Sequence, residues 1–390
     1  MAQAFLYEKC RNGLRVLACR GLDGYAEVPG EINGIPVTEL GRYAFSENGE
    51  TEEALDRLAE SGGAAWYCAD ESIGIHELPL VRGDRLESLR LPESVRRAGA
   101  YCLYNCASLR SVDMYTSVDW GSGSFFGCLG IESFTMRVPD TAETENVQSS
   151  IGNQSAAVPT AKPKPAKSYM RSTLLEISQT VQVRYIKDGM ELELYFPEYY
   201  EEAVENTPAR ILMTNVHGCG LNYRNAFKDG NFEPAEYDKL FYNLKNQESE
   251  ALCVRAAFGR LLYPGALQDK YRADYIAYIK ENIKLTAGIA AEEGRMDWFR
   301  WICTKLQPAA GDYEAMIKAA SACGNTEAVS YLMNSRREAG FLKAGPSRAA
   351  ASASAAAGPE NAASSQVSSG QDVPTPAPPE RKSGRRRFNL

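Results

Sequence analysis

Large apolar residues recur as a triplet through the first third of the chain. Leu86/Leu89/Leu91, Leu109/Val112/Met114 and Ile131/Phe134/Met136 follow one another at offsets of 23 and then 22 residues. An L-x-x-L-x-L pattern at this period lays down one short strand per turn of a solenoid, each turn burying its apolar side against the next. Alternate strand residues point inward and those between them point out. Ser88, Arg90, Ser111, Asp113, Ser133 and Thr135 are therefore expected to form an exposed polar stripe that a protein partner would read. Other positions keep the same register: Val95 with Val118, Leu103 with Phe125, and Cys106 with Cys128, where a small apolar group suits a crowded turn.

The pattern then changes several times. A polar insertion at about 46–85 interrupts the repeat, and its residues 51–60 have helical character. Residues 140–168 contain no aromatic side chain and end in alternating Lys and Pro, which predicts a disordered linker. Residues 169–233 form a β-rich hairpin region. Residues 181–186 and 190–196 alternate, Lys187-Asp188-Gly189 supplies the turn, and 209–216 is a third strand candidate. Residues 234–343 read as helical. Residues 344–390, rich in Ala, Ser and Pro, are too poor in large apolar groups to offset chain entropy and predict a disordered tail. The expected fold is multidomain α+β. A short repeat solenoid over residues 1–139 is followed by a hairpin region and a helical array.

The stretch Gly34, Ile35, Pro36, Val37, Thr38, Glu39, Leu40, Gly41, Arg42, Tyr43, Ala44, Phe45 makes the comparison more specific. Together with Asn105, Cys106, Ala107, Ser108 and Leu109, it resembles the BspA-type leucine-rich repeats common in bacteria. Their pattern includes G-x-P-V-T-x-I-G-x-x-A-F followed by x-x-C-x-x-L. The resemblance covers roughly residues 6–138 and departs from the pattern across the insertion. It implies a solenoid that binds other proteins, and it does not identify the partner. Relatives of this type are often secreted, whereas Met1 to Cys10 lacks the charged start and apolar run of a secretory leader, so a cytoplasmic location is expected. Residues 290–302 and 320–332 also resemble each other at a spacing of 30, with Gly294 and Gly324 each expected to end a first helix. These helix pairs resemble ankyrin-type repeats over about 283–336, although the T-P-L-H start is absent and the period is short of 33.

Composition mainly excludes. Net charge is −7, so no global basic field points to nucleic acid. Nucleic acid remains an option only for the basic end of the tail, Arg381, Lys382, Arg385, Arg386 and Arg387. No run of about 18 apolar residues predicts a membrane span. Two histidines, His76 and His217, leave little for a His-based metal or catalytic apparatus. The ten cysteines contain no Cys-x-x-Cys pair and are expected to be buried thiols. P-loop, Gly-x-Ser-x-Gly and His-Glu-x-x-His motifs are absent. The expectation is no catalytic residues, no metal and no cofactor.

One alternative stays open. His217, Gly218, Gly220, Tyr223 and Arg224 follow a strand candidate, and two glycines would let the backbone approach a small ligand or anion. A ligand sensor or enzyme would centre there. The bland reading is a tight turn. The acidic run 198–205 reads as a solvated helix face. Trp298, Phe299, Trp301 and Ile302 cannot share one narrow stripe, so one tryptophan is expected to be partly exposed.

Overall fold

The structure, a computed structural model, describes residues 2–70, 72–140, 167–206, 211–228 and 230–340. The expected linker, 140–168, lies outside them except at its ends. The expected tail, 344–390, with its basic cluster, lies outside them entirely. The described chain is a mixed α/β fold.

It opens with the antiparallel hairpin β1 (Gln3–Cys10) and β2 (Gly13–Gly21). Short strands β3 (Tyr25–Glu27), β4 (Glu31–Ile32) and β5 (Ile35–Leu40) follow. Helix α1 (Glu52–Glu60) and β6 (Ala65–Cys68) occupy the insertion. The Thr51 hydroxyl accepts from the Ala54 amide at 3.3 Å and caps α1. Leu55 of α1 packs with Leu6, Ala18 and Leu80 on the outer side of the β1–β2 hairpin. The repeats then supply β7 (Ser88–Arg90), β8 (Arg97–Ala98), β9 (Ser111–Tyr115), β10 (Asp119–Trp120) and β11 (Ser133–Arg137).

The sequence repeat becomes a lateral stack. Strands β3, β7, β9 and β11 pair in parallel on one side, and β5, β8 and β10 pair in parallel on the other. Leu89 faces Val112, which faces Phe134. All nine residues of the apolar triplets are at most 2% exposed. The matched cysteines do more than fill space. Cys106 Sγ donates to the Phe45 carbonyl at 3.1 Å, and Cys128 Sγ donates to the Leu103 carbonyl at 2.9 Å, so each thiol ties its turn to the preceding one. The expectation of buried thiols is too broad: Cys10, Cys68 and Cys303 are partly exposed, and Cys323 is exposed.

After α2 (Met170–Leu175), β12 (Val181–Lys187) and β13 (Met190–Phe196) form the expected hairpin. β12 pairs in parallel with β11, Phe134 facing Val183 and Met136 facing Tyr185. The result is one six-stranded sheet in the order β13-β12-β11-β9-β7-β3. Whether the repeats and the hairpin region dock was open from sequence; they share this sheet. The acidic run is a strand, not a helix face: β14 (Tyr200–Asn206) pairs antiparallel with β15 (Ile211–His217). Its glutamates Glu201 and Glu202 are solvated as expected. Extended structure wins because β15 supplies a cross-strand partner that sequence-local reasoning does not see.

A one-turn helix α3 (Gly220–Tyr223) and the ribbon β16 (Phe227–Lys228) and β17 (Asn231–Phe232) lead into helices. These are α4 (Pro234–Lys239), α5 (Phe241–Gln247), α6 (Glu250–Leu262) and α7 (Asp269–Glu281). Then come α8 (Ile283–Glu292), α9 (Met296–Trp301), α10 (Ala310–Ala322) and α11 (Thr326–Glu338). Gly294 and Gly324 take φ of 67° and 72° just beyond α8 and α10. The Arg295 amide returns to the Ala290 carbonyl at 2.8 Å and the Asn325 amide to the Ala320 carbonyl at 3.1 Å, closing both helices the same way. Trp298 stacks on Phe258 of α6 with ring centroids 4.3 Å apart; Phe299 and Ile302 are also buried, and of the two tryptophans in this segment Trp301 is partly exposed. One hydrophobic core runs from Leu89 through Val183 and Leu194 to Phe258 and Trp298. No helix among the described residues is long and apolar enough to cross a membrane.

Candidate interaction surface

The outward residues of the six-stranded sheet fall into rows because its strands pair without slippage between β3 and β13. One row reads Tyr25, Ser88, Ser111, Ser133, Gln182, Tyr195. The next reads Glu27, Arg90, Asp113, Thr135, Arg184, Glu193. All six stripe residues expected from sequence lie on this one face, Arg90 exposed and the others half-buried. The hydroxyl oxygens of Ser88 and Ser111 are 2.8 Å apart.

The charges of this row are paired, some within it and some with Arg137 and Glu191 of the row beside it. Arg90 reaches Glu27 at 3.1 Å and Asp113 at 3.9 Å. Arg137 donates to Asp113, and Arg184 grips Glu191 through Nε and Nη2 at 2.6 and 2.9 Å. Burial, then the nearby Arg90 and Arg184, hold the Arg137 guanidinium below the usual arginine range. The opposite sheet carries its own alternating row, Glu8, Arg15, Glu39, Arg97, Asp119. Neither sheet therefore presents a run of one sign. Such rows set register and partner choice more than long-range attraction.

Two depressions mark the face. A cleft of about 490 Å³ takes Tyr25, Glu27, Tyr67, Arg90, Tyr115 and Arg137 into its walls. A smaller trough of about 270 Å³ has Ser88, Ser111, Ser133 and Thr135 along it. Tyr25, Glu27, Tyr115, Arg137, Gln182 and Arg184 were missed by sequence reasoning. Tyr25 and Glu27 flank buried Ala26 in the same out–in–out order as Ser88, Leu89 and Arg90, which was the available signal.

Side chains close both edges of this sheet. Gln3 Nε2 donates to the Tyr25 carbonyl at 2.7 Å, and Gln3 Oε1 accepts from the Glu27 amide at 3.1 Å. At the other edge the Tyr237 hydroxyl accepts from the Tyr195 amide at 2.8 Å and donates to the Tyr195 carbonyl at 2.9 Å. Glu193 and Tyr195 are covered at this end, with Arg295 bonded to Glu193 at 3.3 Å.

The glycine turn is arranged differently from its ligand-site expectation. Tyr223 and Arg224 are buried, at 1% and 0% exposure, while His217 lies at the solvent-facing end of β15. His217 stacks on Tyr200 at 4.4 Å, and its Nε2 is 3.0 Å from Glu202 Oε2. The Arg224 guanidinium donates to the carbonyls of Leu174, Ile177, Gln179, Pro197 and Gly220. Burial lowers its pKa to about 10, which leaves it protonated at neutral pH. The close approach that Gly218 and Gly220 allow is to the chain itself: a Cβ on Gly220 would meet the Pro197 carbonyl at 2.2 Å. Burial, then the Glu248 carboxylate, push the Cys219 thiol up, so it is no ready nucleophile. Among the described residues, no group of three or more His, Cys, Asp or Glu is placed to hold a metal ion.

No family model matches the chain, and no curated protein matches it. Among solved structures, the chain is similar to a leucine rich repeat protein of T. pallidum, known from a crystal structure. The two are 19% identical over 34% of this chain and 72% of that one, with a TM-score of 0.16.

Proposed function

We propose that this chain is a non-catalytic scaffold or adaptor for protein–protein interaction, working in a bacterial cytoplasm without a cofactor. In this reading the stacked turns are a BspA-type leucine-rich-repeat solenoid, and the helix pairs of α8 to α11 are ankyrin-like. The outer face of the six-stranded sheet is the main recognition surface, with the helix pairs as a second one. The observation that carries the reading is the in-register row of Ser88, Ser111 and Ser133 beside Arg90, Asp113 and Thr135. Repeat folds build such extended surfaces rather than reactive pockets. Because Gln3 and Tyr237 occupy the sheet edges, a partner reads side chains on the face rather than adding a strand. The alternative of a ligand sensor or enzyme at His217 to Arg224 has less support, since Arg224 spends its donors on backbone carbonyls.

The test is affinity capture from the source cells with the full chain, read by mass spectrometry, beside variants Ser111→Trp and Ser133→Trp. These place a bulky ring on the face without touching the core. A specific protein held by the parent chain and lost by both variants is the expected result. A protein held equally by all three would overturn the assignment of this face.

A further inference from the structure

Among the described residues, no side chain caps an edge of the hairpin β14–β15 as Gln3 and Tyr237 cap the edges of the main sheet. It forms a two-stranded sheet that pairs with no other strand of the described residues. Tyr200, Val204, Met213 and Val216 are 40–62% exposed, and they stand on both of its faces. A hairpin alone in water is marginal, and exposed apolar groups on such an element call for a partner.

The two edges differ. β14 contains the exposed Glu201 and Glu202, and charges of this kind discourage an added strand. β15 reads Ile211, Leu212, Met213, Thr214, Asn215, Val216 before His217, with no charge, proline or glycine in those six positions. That is the composition of a strand that accepts another.

We propose that β15 pairs antiparallel with β15 of a second copy of this chain, about a two-fold axis through Thr214. The register sets Thr214 against its counterpart and Met213 against Asn215, so no charge faces a like charge. The contact is self-complementary and closes with two copies. The strand order becomes β14-β15-β15-β14, which leaves the glutamate-bearing strands outermost. Further addition is blocked there, so the association stops at a dimer instead of growing into a fibre. A second copy thus pairs the open β15 edge of each chain and leaves only the β14 edges in water. The residues involved are separate from the recognition face, so this inference does not depend on the proposed function. A dimer would also present that face twice, which raises avidity for a repeated target.

Sedimentation equilibrium on the full chain, from about 1 to about 100 µM, reads the outcome directly. The expected mass rises from 42.8 kDa toward twice that value. Thr214→Lys puts two ammonium groups face to face on the axis and should raise the dissociation constant at least about tenfold. Ala203→Lys, on β14, should leave the dimer in place. Circular dichroism confirms that each variant is folded. Hydrogen exchange on the parent chain gives a second reading: the alternate amides within 213–216 that point away from β14 should gain protection as concentration rises. A parent chain that stays monomeric with concentration-independent exchange would overturn the inference. So would a dimer indifferent to Thr214→Lys.

Discussion

Arg224 donates through Nε to the carbonyl of Ile177 at 2.8 Å, across 47 residues of chain. The same guanidinium binds carbonyls before β12, after β13 and within α3, so one buried cation joins three segments. Arg224→Met would take the guanidinium donor from the buried Ile177, Gln179 and Pro197 carbonyls, while Leu174 and Gly220 keep backbone amide donors, at a cost of about 3 kcal/mol or more. Arg224→Lys should recover only part of this, because an ammonium has fewer donors and no planar fork. Urea unfolding, with the midpoint falling and the slope unchanged, is the check. A midpoint within error of the parent for Arg224→Met would show that the buried network contributes nothing.

Gly324 ends α10 at φ 72°, with nothing within 4 Å of where a Cβ would sit. Space is therefore free and only the backbone conformation resists substitution. Gly324→Ala should cost about 1 kcal/mol, the penalty of a left-handed residue with a side chain. Thermal unfolding of this variant should show a lowered midpoint with the fold retained. An unchanged midpoint would mean that the cap relaxes to another geometry.

Glu176 closes the end of α2, and its Oε2 accepts from the Phe125 amide at 3.3 Å. Burial raises its pKa above the ordinary 4.5, outweighing the backbone hydrogen bonds that lower it. An acid with a raised folded pKa contributes stability below its unfolded value and loses it as pH rises through the folded value. Ionised Glu176 is therefore a burden at neutral pH. Glu176→Gln keeps an acceptor and should be more stable than the parent at pH 7, by less than about 1 kcal/mol once solvent screening is allowed for. The gap should close as pH falls below 4.5. Denaturant titrations at pH 4 and pH 7 decide it; a gap that widens toward low pH would reverse the sign.

Much of the candidate face was legible before the fold was known. Apolar triplets repeat because a stacked strand must bury Leu89, Val112 and Phe134 at the same place in each turn. That requirement writes itself into spacing and fixes Ser88, Ser111 and Ser133 as outward. The hairpin turn at Asp188 and Gly189 and the helix ends at Gly294 and Gly324 were equally visible, since positive φ selects residue type locally. Tyr25 and Glu27 were harder, because an insertion separates β3 from the strand it pairs with.

What the sequence determined by itself is the set of contacts whose cause is local: strand alternation, turn chemistry, helix caps and the period of the repeat. The tertiary structure alone decided that β12 joins β11, that Glu201 and Glu202 lie in a strand, and that Arg224 faces inward toward carbonyls. These depend on which edges and acceptors meet after long stretches of chain have folded. No short-range pattern carries that information, because the free energy of a strand pair or a buried guanidinium belongs to both partners together.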